Sequence, residues 1–89
     1  MKKVDAYQIL KDEGHLNILE IVKGKGYFLD NHSHDFDVDL IIISGTLEII
    51  TNNSSVILSP GSRYKMKKNT IHTEKSDGVC FLSARPQND

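Results

Sequence analysis

Apolar positions follow a helical spacing only at the start of the chain. In "VDAYQILKDEG", residues 4 to 14, Tyr7, Ile9 and Leu10 supply one apolar face, Asp5 stands where a cap belongs and Gly14 supplies the stop. This predicts a short N-terminal helix. From Leu16 the period falls to two: in "LNILEIV", Leu16, Ile18, Glu20 and Val22 share one face and Asn17, Leu19 and Ile21 the other. Further strands are predicted at about residues 26–34, 38–44, 46–51, 55–58, 62–67, 71–75 and 79–84. The segments between them, "GKG", "SG", "TNNS", "SPG", "KKNT" and "SDG", each hold a residue that tolerates or fixes an unusual φ. Many short strands punctuated this often indicate an all-β sandwich or barrel. The expected division is a helical segment over residues 1–15 and a β-barrel over residues 16–89.

One strand departs from simple alternation. "LIIIS", residues 40 to 44, is apolar on both faces, with Leu40 and Ile42 on one and Ile41 and Ile43 on the other. A barrel showing Ile41 and Ile43 outside needs a cover, either a second subunit or its own N-terminal segment. The expectation is a homodimer.

Charge narrows the partners. Eleven basic and 12 acidic residues give a formal charge of −1, which offers no general attraction to nucleic acid or an anionic membrane. A single cysteine excludes an intrachain disulfide, and Cys80 in "GVCFL" reads as a small core residue. Charges interrupt the first 14 residues and nowhere do 18 apolar residues run together, so the expected location is cytoplasmic. His15 in "DEGHLN" is expected to be solvated.

The chemistry concentrates in "HSHDFDVD", residues 32 to 39. Alternation puts His32 and His34 on one face, where two imidazoles can converge on one ion. Asp30 shares that parity, and a bulge between residues 35 and 39 would swing Asp37 or Asp39 inward. Asp30 and Asp39 are therefore candidates for a fourth ligand or for accepting an imidazole N–H.

These residues carry a family resemblance. "GYFLDNHSH" resembles the first half of the first cupin motif, G-x5-H-x-H, and the spacing onward through position 38 to Gly45 reproduces its second half, x3-E-x6-G. "LSPGSRYKMKKNTIH" is similar to the second cupin motif, with Pro60-Gly61 at the turn and His72 in the place of the family's third histidine. The resemblance implies a small double-stranded β-helix of the cupin 2 type, with His32, His34 and His72 as metal ligands. Two departures matter: Val38 stands where the family usually has a metal-binding glutamate, and Lys67 and Asn69 replace its usual proline and glycine. Asn69 can still adopt the left-handed turn.

Three neutral imidazoles suit Fe, Mn, Ni or Zn and leave open coordination positions. Without the glutamate such a site keeps the ion's full +2 charge and favours anions. The expected function is a three-histidine metal site acting on a small anionic metabolite, as a dioxygenase, lyase or isomerase. The alternative is a non-catalytic small-molecule binding or sensing module with weak metal or none. Fold alone does not choose between them.

Overall fold

The computed structural model describes residues 1–87. Helix α1 spans Lys3–Asp12, followed by β1 (Asn17–Lys23), β2 (Tyr27–His32), β3 (Val38–Gly45), β4 (Leu47–Ile50), β5 (Ser55–Leu58), β6 (Arg63–Met66), β7 (His72–Ser76) and β8 (Val79–Arg85). The strands form two four-stranded antiparallel sheets, ordered β1-β8-β3-β6 and β2-β7-β4-β5. Each strand lies within a few residues of its predicted position. The turn chemistry explains why: Gly26, Gly45, Gly61, Gly78 and Asn69 all have positive φ, which ends one strand and aims the next. Gly45 is required for a second reason. A Cβ there would lie 2.0 Å from the carbonyl oxygen of Gly78, so the β3–β4 and β7–β8 turns pack backbone against backbone.

Two apolar clusters follow from the two-faced character of the first sheet. Val38, Leu40, Ile42, Met66, Val79 and Phe81 point inward to meet Leu47, Ile49 and Leu58 of the second sheet. On the outer face, Ile41, Leu82 and Ala84 are buried beneath Ala6 and Leu10 of α1, with Ile9, Ile18 and Ile43 packed around them. Ile41 is 1% exposed within a single chain. The outer isoleucines that suggested a homodimer thus have their cover in the chain's own helix.

The helix buries Leu10 as expected, with Ile9 packed beside it, but Ala6 takes the inward place expected of Tyr7. Ala6 and Leu10 are fully buried, whereas Tyr7 is exposed and lies beneath the Lys11 ammonium, 5.9 Å from the ring centroid. Asp5 lies in the first turn, and Lys2 precedes the helix with no side-chain cap. Asp5 therefore acts through its charge at the positive end of the helix.

A charged network fastens the other end. Arg63 on β6 donates to both carboxylate oxygens of Glu13, at 2.9 and 2.7 Å, and to Asp39 Oδ1 at 2.8 Å. His15 Nε2 lies 3.1 Å from Asp39 Oδ2, so His15 is half-buried and partnered, contrary to its expected solvation. Among the described residues no helix is long and apolar enough to cross a membrane.

The packing of α1 sets two expectations. In urea unfolding, Leu10→Ala should lose about 2–4 kcal/mol because it opens a cavity against Ile41 and Leu82, while Tyr7→Ala should lose less than about 1 kcal/mol. The Glu13 carboxyl is held below its ordinary range, chiefly by hydrogen bonds from Arg63. The stability this adds is present above the unfolded carboxylate value and is lost as pH falls through the lower folded value. Glu13→Gln should accordingly flatten the acid side of a stability-against-pH profile; an unchanged acid side would show that the pair contributes nothing.

Candidate metal centre

Strand pairing brings the histidines together. In the β2–β7 ladder Tyr27 pairs with Ser76, Leu29 with Glu74 and His32 with His72. Between the last two pairs β2 advances three residues while β7 advances two, so β2 carries one extra residue at Asp30 and Asn31. Such a bulge reverses the facing parity of the residues beyond it. Tyr27 and Leu29 line the interior before it, and His32 and His34 line it afterwards.

This decides the role of Asp30. The bulge lies at Asp30 and Asn31, ahead of the histidines, and Asp30 is exposed on the outside. Its carboxylate accepts the Asn31 backbone N–H at 2.8 Å and holds the bulge. Its main-chain carbonyl, 2.9 Å from His32 Nδ1, is the imidazole acceptor. Asp39 faces the opposite side of its sheet, committed to Arg63 and His15. No bulge turns it inward, because β3 and β6 pair in unbroken register from Val38 with Met66 to Ile41 with Arg63. Asp37 accepts the Lys68 backbone N–H at 2.8 Å, and the Asn69 N–H donates to the His34 carbonyl at 2.6 Å. The connection carrying His34 is thereby pinned to the turn that leads into His72, with Asn69 in the left-handed conformation at φ 66°.

The acidic partner of the histidines is Glu74. His32, His34, His72 and Glu74 place one ligand atom each within 4.8 Å of one another, a group able to hold a metal ion. Glu74 Oε2 lies 3.1 Å from His72 Nε2 and 3.2 Å from His32 Nε2. Its other oxygen accepts the Tyr27 hydroxyl at 3.1 Å. Val38 is buried opposite Met66 and forms an apolar wall. The carboxylate nearest the histidines thus comes from β7, in the sheet opposite Val38. A signal for this existed in the sequence: His72 and Glu74 are two apart on the predicted strand 71–75, so their side chains project to one face.

The proton positions are informative. His72 Nδ1 lies 2.9 Å from the Thr70 carbonyl, as His32 Nδ1 does from that of Asp30. A carbonyl only accepts, so both rings carry a proton on Nδ1 and turn Nε2 toward Glu74. His32 Nε2 is buried without a hydrogen-bond partner, its 3.2 Å approach to Glu74 being misaligned for one. Leaving such a group unmatched costs about 1–3 kcal/mol. Two Nε2 atoms facing one carboxylate oxygen are satisfied by a cation between them, whether a metal ion or a proton on Nε2. At metal–ligand distances of about 2.1 Å, neighbouring ligand atoms fall about 3.0–3.4 Å apart, close to the two His–Glu separations.

Electrostatics agrees with a cation site. The His32 and His72 rings are 3.9 Å apart and His34 is 5.5 Å from His72, centroid to centroid. Burial, then the neighbouring His72 and His32, hold the His34 pKa below its ordinary value, which keeps its ring neutral and able to bind metal. The Tyr27 hydroxyl is pushed up to about 12, first by burial and then by Glu74, so it remains a donor. A cavity of about 220 Å³ opens onto the four groups and is also bounded by Leu29, Met66, Ser83 and Arg85. Cys80 lies on the other face of β8, beyond the cavity lining. A second cluster, Glu13, His15 and Asp39, already holds Arg63 as its cation.

No protein-family model matches the sequence, and no curated protein sequence matches it. Solved structures do. A cupin-2 domain containing protein from Shewanella frigidimarina superposes over 98% of this chain and 94% of its own, with a TM-score of 0.71 at 17% identity. A cupin superfamily protein from Desulfitobacterium hafniense covers 84% of this chain and 81% of its own, with a TM-score of 0.64 at 14% identity. The polyketide cyclase RemF from Streptomyces resistomycificus matches 85% of this chain, which spans 58% of RemF, with a TM-score of 0.69 at 13% identity. The chain has the fold that these cupins share, a small double-stranded β-helix.

Proposed function

We propose that this cupin-fold barrel binds one divalent transition metal and uses it on a small molecule that enters the adjoining cavity. The observation that carries the reading is the convergence of His32 Nε2 and His72 Nε2 on Glu74 Oε2 at 3.2 and 3.1 Å, with His32 Nε2 buried and lacking a hydrogen-bond partner. His34 completes the group. Three imidazoles and one carboxylate suit Fe, Mn, Ni or Zn, and four protein ligands leave a position for water or a substrate at an ion that accepts five or six.

Each protein group has a distinct task. The Asp30 and Thr70 carbonyls fix the tautomers of His32 and His72, and Tyr27 fixes the carboxylate through its remaining oxygen. The apolar wall of Val38, Leu40, Met66 and Phe81 limits water and strengthens electrostatic interactions inside. Bound there, the metal would supply Lewis acidity or, as Fe or Mn, redox chemistry. Glu74 lowers the charge of the loaded site from +2 to +1. The attraction for anions argued from Val38 is correspondingly weaker, and ligand charge must be read from the rest of the cavity.

The test is thermal. Zn(II) or Ni(II) at about 100 times its Kd should stabilise the wild-type protein by about 2.7 kcal/mol. Most of that shift should be absent in His32→Ala, His72→Ala and Glu74→Gln. Tyr27→Phe should retain the shift but need about tenfold more metal. Equal shifts in wild type, His72→Ala and Glu74→Gln would place the metal elsewhere. A wild type that takes up none of Fe(II), Mn(II), Ni(II) or Zn(II) would favour the metal-free binding module.

A further inference from the structure

The chain has two arginines on the faces of its first sheet, and they are used in opposite ways. Arg63, on the outer face, is matched by Glu13 and Asp39. Arg85, on the inner face of β8, has no carboxylate within ion-pair distance among the described residues. Its Nε donates to the buried Ser83 hydroxyl at 3.3 Å, and its guanidinium lies 5.3 Å from the centroid of the Phe36 ring. Phe36 in turn stacks on His34, with centroids 5.1 Å apart. Arg85 is half-buried and lines both the metal-facing cavity and a larger groove outside it, so the guanidinium stands where a solute passes from one to the other.

A half-buried guanidinium with no carboxylate beside it among the described residues, positioned by a serine and an aromatic ring, is an anion receptor in waiting. The second cation of the cavity, Lys23, sits over the Tyr27 ring at 5.0 Å, which leaves Arg85 as the group whose fork of N–H donors is free among the described residues. One fork matches the single charge and planar pair of oxygens of a carboxylate, whereas a phosphate dianion calls for more donors than Arg85 and Ser83 supply. A volume of about 220 Å³ equals that of about seven waters, so the ligand is small.

We infer that the ligand is a small organic acid whose carboxylate is taken by the free edge of Arg85, with Ser83 beside it, while a second oxygen faces the His32, His34, His72 and Glu74 group. This rests on the metal reading, since without a cation the Glu74 carboxylate would repel the second oxygen.

Side-chain NMR with excess Zn(II) separates the two ideas, because histidine ring signals report the metal and the Arg85 Nε–H reports the anion. Malonate should shift the Arg85 signal, and the neutral malonamide should not. Arg85→Gln should weaken malonate binding, followed at the zinc-shifted histidine signals, by about tenfold to a hundredfold while the zinc response stays. Arg85→Lys, which keeps the charge but not the fork, should lose less and guards against a folding effect. Equal malonate affinity in wild type and Arg85→Gln, equal binding of malonamide, or tighter binding of inorganic phosphate than of malonate would overturn the assignment. Zinc that leaves the histidine signals unmoved would overturn the metal reading instead, and the response of Arg85 to malonate would still decide the anion.

Discussion

The extra residue in β2 is the constraint on which the site depends. With three residues of β2 set against two of β7, Leu29 lies opposite Glu74 and His32 lies opposite His72, all facing inward. Without the bulge, one of those two pairs would face solvent, because strand parity is strict. The bulge also exposes the Asp30 carbonyl to the His32 ring, so the same distortion that turns the imidazole inward fixes its tautomer. Asp30 stabilises it by bonding its own carboxylate to the next backbone N–H.

A site built across a strand pair must be held against the rest of the barrel, and apolar burial does this. β3 and β8 are apolar on both faces, so they can sit centrally in their sheet, covered inside by the second sheet and outside by α1. That arrangement frees one end of the inner face for polar groups. Along β8 the inward residues run Val79, Phe81, Ser83 and Arg85, from the apolar core to the cavity around the histidines. Packing and chemistry thus share one strand without competing.

Charges are placed according to whether their partners are present. On the outside, Arg63 satisfies Glu13 and Asp39 and fastens the helix end. On the inside, Glu74 faces the Nε2 atoms of two imidazoles, and Arg85 keeps an edge free of carboxylates among the described residues. Buried groups of this kind are costly unless matched, and the unmatched set lies around one cavity.

The sequence by itself determined the strands and their turns, because these depend on local rules, period-two alternation and residues that accept positive φ; the grouping of His32, His34 and His72 was legible only through the family motifs they resemble. It also held the pattern of Glu74, two residues from His72. The tertiary structure decided the rest. Counting parity sends Asp30 inward with the histidines, but parity is reset by a bulge that depends on how β2 and β7 pair. Asp39 keeps its outward direction because Arg63 and His15 meet it there, from positions 24 residues away on either side. The cover for Ile41 could be read as a second subunit or as the helix, since apolarity says that a face is buried but not by what. Only the packed chain sets Leu10 on Ile41 and places Tyr27 against Glu74, because such contacts join residues whose separation in sequence carries no periodic signal.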